Sequence, residues 1–459
     1  MTSARNSSFH RAAVRRRALY TTLLGAAVPL VVEPVLGARY LSISRWLQDF
    51  SALPDQDRRA WQQERLAEVL RHARDSVPFY RRVLMNADPA RTALADLPVV
   101  DKALVRCDQD AFRSDGWSSM RYVVKTTGGT TGDPWRYELD RAAWAHVYAA
   151  VLHFWGETGY RYGERIALIG TPPSLVGGGR GWKSRLRRAL ERRVHPSTGV
   201  ATDHESSLRH ARSAARSRAA LWYGYAGMIA AMADSVLVEG IELRGRPRGI
   251  VTTSEPLLPE WRRRIERAFD VPVFDQYGCN DGGVLAQTCA HGRFHLADSV
   301  SIVELLDGDA PCPPGTVGDV VVTNLHARVL PFLRYRVGDR AVLAEGPCQC
   351  GRPGPTLARV IGRSGDSVKL PDGGEVSLPG LTTAFWEAPN VRRWQLVQTD
   401  LDRIRVRLEL APGFDRVEAA RLEEALRRRC GGSVAVELVT NEPFERTPGG
   451  KLQVVVSRV

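Results

Sequence analysis

Residues 249–283 read GIVTTSEPLLPEWRRRIERAFDVPVFDQYGCNDGG. Two short β-rich runs, Gly249–Thr253 and Val271–Phe274, flank a helical segment, Glu260–Phe269. Strand–helix–strand alternation of this kind predicts an α/β sheet with crossover helices. Arg165–Gly170 (Arg-Ile-Ala-Leu-Ile-Gly) reads as another buried strand of the same sheet. Downstream, Ser301–Leu306 and Gly318–Asn324 predict strands of a smaller β-rich section. Upstream, Pro54–Leu84 reads as helix, with Trp61, Leu66, Val69 and Leu70 at helical spacing and a break at Pro78.

The C-terminal part has another character. Ile404, Val406, Leu408 and Leu410 alternate with charged neighbours, the pattern of a strand buried on one face. Ala419, Leu422 and Leu426 mark a helix face, and Ser433–Val439 returns as a strand. That is a β-α-β module of α+β type, with its junction near Gly362–Asp366. The 459 residues exceed one compact core, so two or three domains are expected. The expected division is an N-terminal arm (1–53), a large α/β domain (54–363) with a β-rich section at 284–352, and a small mobile α+β domain (364–459).

Sixty-four basic residues face 51 acidic ones, a formal charge of +13. Five of the 64 are lysines (Lys102, Lys125, Lys183, Lys369 and Lys451); the rest are arginines spread along the chain rather than clustered with aromatic residues. That pattern does not point to a nucleic-acid surface. It suits anionic small molecules. Seven cysteines is an odd number, which argues against a complete disulfide framework. Four fall between Cys289 and Cys350, and Cys348 and Cys350 form a C-x-C pair, which reads as a metal site in a reducing compartment. Near the N-terminus, Arg15-Arg16-Arg17 precedes an uncharged stretch, Ala18–Val32. At 15 residues it is short of the roughly 20 that span a bilayer. The expectation is an apolar arm that packs on the domain or makes a weak membrane-surface contact.

Four motifs carry chemistry. The first is Thr126-Thr127-Gly128-Gly129-Thr130-Thr131-Gly132-Asp133-Pro134, whose glycines admit a ligand close to the backbone and whose hydroxyls and amides make a phosphate cradle. The second is Asp275-Gln276-Tyr277-Gly278-Cys279-Asn280-Asp281-Gly282-Gly283, read as a loop after a strand, where open α/β sheets bind ligands. In the third, Leu333–Asp339, an aspartate after a glycine turn can accept hydrogen bonds from two ribose hydroxyls. In the fourth, Arg446-Thr447-Pro448-Gly449-Gly450-Lys451-Leu452, a turn presents a lysine. Each alone also fits an ordinary turn or a solvated surface.

In this order and at these separations the four motifs resemble those of the adenylate-forming superfamily of acyl-CoA synthetases and adenylation domains. The likeness is greatest to the phenylacetate–CoA ligase branch with its capsular-polysaccharide relatives, and Gln62–Arg82 resembles that branch's N-terminal helix. The resemblance implies an AMP-forming ligase that uses ATP, Mg²⁺ and coenzyme A on a carboxylic acid, in the cytoplasm. By residue, it implies Thr127, Thr130 and Thr131, with Gly128, Gly129 and Gly132, on the β- and γ-phosphates. Glu255 and Tyr277, with Gly278, would lie at adenine, Asp281 at Mg²⁺, Asp339 at ribose and Arg363 at the hinge. Lys451 would be the catalytic cation. Asp281 and Asn280 depart from the usual Glu and Thr or Ser, and Gly365 takes a position usually held by Asp or Lys. Cys289, His295, Cys348 and Cys350 match a structural Zn²⁺ set seen in some relatives, with His291 as the rival histidine. Two further readings stay open: transfer to an amine or carrier thiol, and a degenerate nucleotide-binding relative. Trp222, Tyr223 and Tyr225 line either an aromatic-accepting pocket or the core.

Overall fold

The computed structural model describes residues 39–126, 135–170, 185, 192–196, 204–279, 281–283, 285–363, 367–371, 375–377, 381, 384–385, 388–430, 432, 434–446 and 452–459. The chain is a mixed α/β protein. Its helices are α1 (Tyr40–Ser51), α2 (Asp55–Ser76), α3 (Arg141–Glu157), α4 (His204–Arg216), α5 (Ala226–Glu239), α6 (Pro259–Phe269) and α7 (Arg416–Arg429), besides shorter turns. A hairpin of β1 (Tyr122–Thr126) and β2 (Arg136–Asp140) brackets the threonine-rich motif. Thr127–Pro134 lies outside the described residues, as do residues 18–32 of the arm.

The main sheet is half parallel and half antiparallel. Its parallel half orders β3 (Ile166–Ile169), β4 (Leu221–Tyr225), β5 (Gly249–Thr253) and β6 (Val273–Gly278). These strands are buried almost continuously, as expected where helices cover both faces. The antiparallel half continues through β7 (Leu285–Thr288), β8 (Phe294–Leu296), β12 (Thr356–Arg363), β11 (Tyr335–Leu343), β10 (Val317–Asn324) and β9 (Ser301–Asp307). A separate sheet holds β13 (Val391–Asp400), β14 (Arg403–Leu410), β15 (Ala435–Val439) and β16 (Val455–Ser457), with α7 connecting β14 to its parallel neighbour β15.

Sequence explains the local choices. In α6, Trp261, Ile265 and Phe269 fall four apart and bury one face, Pro259 opens the first turn, and Asp270 ends it in the left-handed conformation. Asp415 caps α7 by accepting from the Glu418 amide. α5 is apolar nearly all round, so it belongs inside; it shares one buried cluster with α6 and with Trp394, Leu396 and Leu452 of the C-terminal part. Trp222 is core, edge-on to Phe269 at 5.0 Å. Tyr225 is buried in the same cluster, and Tyr223 is half-buried beside Trp155.

Two expectations shift. The second strand starts at Val273 rather than Val271 and runs on through Gly278, so Asp275–Gly278 is strand, not loop. Its polar side chains are tolerated because the strands on both sides partner them: Gln276 donates to Gln287 of β7 at 3.3 Å, and Asp275 accepts from Thr252 of β5 at 2.9 Å. Gly338 likewise sits inside β11, not at a turn, with φ +83° and a register irregularity just beyond it at Arg340/Ala341.

Candidate active site

The carboxyl ends of β5 and β6 and the near edge of β11 bring four sequence-predicted residues into one region. Glu255 follows Ser254, whose φ of +68° turns the chain sharply at the end of β5. Its carboxylate is buried and accepts two backbone N–H groups: Gly227 at the start of α5 (2.8 Å) and Leu452 from the C-terminal part (2.7 Å). Half-buried Arg446 places a cation near it; burial pushes that guanidinium's pKa down, and the Glu255 charge partly opposes the shift.

Tyr277, on β6, donates its hydroxyl to Asp339 at 2.8 Å, linking the second and third motifs. The tyrosine is half-buried and Gly278 beside it is exposed, so this pair lies at a rim. Asp339 shares the buried face of β11 with Tyr335 and Val337 through the two-residue period of a strand. Asp281 is buried, and both its oxygens are engaged: the Tyr335 hydroxyl donates to one (3.0 Å) and the Cys279 thiol to the other (3.0 Å). Burial, then the Asp281 charge, raises the Tyr335 pKa, so the tyrosine stays a donor. The glycines after Asp281 are steric requirements. A Cβ on Gly282 would lie 2.3 Å from Val322 Cγ1, and one on Gly283 2.6 Å from Asn324 Nδ2, both at positive φ. Asn324 in turn donates to the Gly282 carbonyl at 3.0 Å. Asp275 lies beneath, its carboxyl pushed up to about 6 chiefly by burial.

Arg363 stands opposite Asp339 in the β11–β12 register. Lys451, the first motif from Thr127 onward, and Asn280 lie outside the described residues, although Leu452, next to Lys451, is seated on Glu255. Sequence reasoning missed Tyr335, Cys279, Asn324 and the Leu452 amide. Only Tyr335 carried a legible signal, four residues before Asp339 and hence on the same strand face.

A second constellation lies on the β7–β8 hairpin and the turn before β12. Cys289, His295, Cys348 and Cys350 place one ligand atom each within 4.8 Å of one another. Cys289 Sγ is 3.6 Å from Cys348 Sγ, and Cys350 Sγ is 3.2 Å from His295 Nε2. Sulfurs on a tetrahedral zinc, each about 2.3 Å from the ion, would stand at nearly that separation. Burial, then Arg58 and Arg293, pushes His295 down to about 4, so its ring is neutral, as a ligand must be. His291 is exposed at the hairpin tip and outside this group, which resolves the choice of histidine in geometry.

Residues 368–458 match the CapK C-terminal domain family. Over 407 residues the chain is 23% identical to Protein CapK of Staphylococcus aureus, covering 87% of this chain and 89% of that protein. It is 26% identical to the phenylacetate-coenzyme A ligase of Thermus thermophilus over 462 residues, covering 89% and 98%. Among solved structures, 2-hydroxyisobutyryl-CoA ligase in the postadenylation state superposes with a TM-score of 0.72 at 21% identity, over 88% of this chain and 90% of that one. The same ligase in its thioesterification state gives 0.58. Together with the ordered motifs and the fold, these likenesses support the adenylate-forming, phenylacetate–CoA ligase-like branch.

Proposed function

We propose that this chain is an AMP-forming ligase that activates a carboxylic acid with ATP and passes the acyl group to coenzyme A. The observation that carries the reading is Glu255, just past the end of β5, which ties the start of α5 to the segment bearing Lys451, while neighbouring β6 carries the Tyr277–Asp339 hydrogen bond. In this reading adenine lies along Tyr277, Asp339 accepts from the ribose hydroxyls, and Thr127, Thr130, Thr131 and the glycines among them hold the β- and γ-phosphates. Two anions must meet: the acid's carboxylate oxygen attacks the α-phosphorus and pyrophosphate leaves. Lys451, a compact point charge, lies between carboxylate and α-phosphate and neutralises both. Mg²⁺ near Asp281 would offset the charge spreading over the phosphoryl oxygens. Residues 364–459 would then rotate as a unit, withdrawing Lys451 so that the thiol of coenzyme A attacks the acyl carbonyl and AMP departs.

Acid-dependent ATP–pyrophosphate exchange across aromatic, aliphatic and hydroxy acids tests this. Exchange with one acid class is expected, and thioester on adding coenzyme A. No exchange with any acid leaves a nucleotide-binding relative without turnover. Exchange without thioester moves the acceptor to an amine or carrier thiol.

The same proposal assigns a structural zinc to Cys289, His295, Cys348 and Cys350. Purified protein should carry about one zinc per chain, and Cys348→Ser should lose it together with several kcal/mol of stability. Well-folded protein free of zinc would refute the assignment.

A further inference from the structure

A cavity of about 600 Å³ opens at the other end of the parallel strands. Arg165 precedes β3, Ala220 precedes β4 and Arg248 precedes β5, so it lies at their amino ends, roughly 15 Å of strand from the candidate active site. Its floor is small and uncharged: Ala215, Ala219, Ala220 and Gly245. A Cβ on Gly245 would stand 2.5 Å from the Ala215 carbonyl oxygen, so the floor depends on a bare glycine at φ +93°.

The walls are arginine. Among the described residues, seven guanidinium-bearing ones line the cavity against one carboxylate, Glu164, which is already paired with Arg248. Arg246 is held by Glu242 (2.9 Å) and Asp270 (2.7 Å), and Arg165 donates to the Ser217 carbonyl at 2.9 Å. Among the described residues, the side chains of Arg216, Arg218 and Arg244 have no hydrogen-bond or ion-pair partner.

Two wall residues are held in an unusual backbone conformation. Five non-glycine residues among those described have positive φ; two of them, Arg192 (49°) and Arg218 (50°), line this cavity. Arg218 ends the turn after α4, its amide donating to the Ala215 carbonyl at 3.1 Å. A left-handed residue just past a helix is ordinarily glycine, because a Cβ is disfavoured there. Arginine at such a position keeps a guanidinium at the mouth against the local backbone preference.

From this juxtaposition we infer that the cavity is a binding site for a compact polyphosphate anion, with two or more linked phosphoryl groups. Guanidinium forks match phosphate oxygens in pairs, and several converge here on a volume typical of small-ligand sites. Among the described residues no aromatic side chain lines it, so these offer nothing on which a nucleobase would stack. The ligand is therefore read through its phosphates alone.

The test is calorimetric titration of inorganic tripolyphosphate into the full chain at low salt, with sodium sulfate at matched ionic strength as comparison. One tripolyphosphate site is expected to survive Thr130→Val/Thr131→Val, which removes the cradle proposed for the β- and γ-phosphates, and to weaken at least about tenfold in the double variant Arg216→Gln/Arg244→Gln. The informative variant is Arg218→Gly. It should raise the thermal midpoint, because the left-handed strain is relieved, while weakening tripolyphosphate binding about tenfold. A merely structural arginine would not move stability and affinity in opposite directions. No site surviving Thr130→Val/Thr131→Val, equal binding of sulfate, or unchanged affinity in either arginine variant would overturn the inference.

Discussion

Lys451→Ala is expected to lower acid-dependent ATP–pyrophosphate exchange by roughly a thousandfold or more. The same variant should still convert a supplied acyl-adenylate and coenzyme A to thioester at close to the unmodified rate. The asymmetry follows from charge. Joining a carboxylate to a triphosphate needs a cation between them, whereas the second step expels AMP from a neutral acyl carbonyl and does not. Lys451→Arg should recover part of the exchange: it keeps the charge but spreads it over a planar fork that suits a bidentate partner better than a point contact. The chain's scarcity of lysine sharpens the experiment, since only four others exist and none lies within 80 residues. Normal exchange in Lys451→Ala would refute the central assignment. Equal loss in both half-reactions would mean that Lys451 holds the C-terminal part in place instead of acting on charge.

Legibility in the sequence followed the range of the interactions. Gly249–Thr253 could be bounded to the residue because a short apolar run between turn signals is determined locally. β6 could not: Asp275, Gln276 and Tyr277 look like loop until β5 and β7 supply their partners. Gly338 looked like a turn because glycine usually is one, whereas here its positive φ is absorbed within a strand beside Asp339. The four metal-type residues could be gathered from residue type and spacing. The choice of His295 over His291 needed a register, since His295 pairs with Thr356 of β12 and is thereby carried toward the Cys348–Cys350 turn. The arginine cavity was hidden for the opposite reason. Arg165, Arg192, Arg216 and Arg244 look scattered along the chain, and only parallel strands that all start at one end of the sheet bring them together.

Contacts that a side chain makes to a distant backbone amide carried no sequence signal, and the one with the largest expected consequence is Glu255 with Leu452, 197 residues apart. Each Glu255 oxygen accepts one backbone N–H in a buried setting. Glu255→Gln keeps the shape but offers one acceptor and one NH₂, so one of the two N–H groups faces a donor. An unmade buried hydrogen bond costs about 2 kcal/mol, or roughly thirtyfold in a two-state population. The Gly227 amide lies within the large α/β part, packed by α5, whereas the Leu452 amide is presented by the segment proposed to move. The expected loss therefore falls on the seating of the Lys451 segment. Exchange should drop about thirtyfold, with only a small fall in the thermal midpoint. Thioester formation from supplied adenylate should hold steady or rise, because that step needs the segment withdrawn. Measuring both half-reactions on one preparation separates this from simple damage. Parallel losses in both, tracking a large fall in midpoint, would make Glu255 a packing residue and remove the main support for reading this arrangement as the one that forms adenylate.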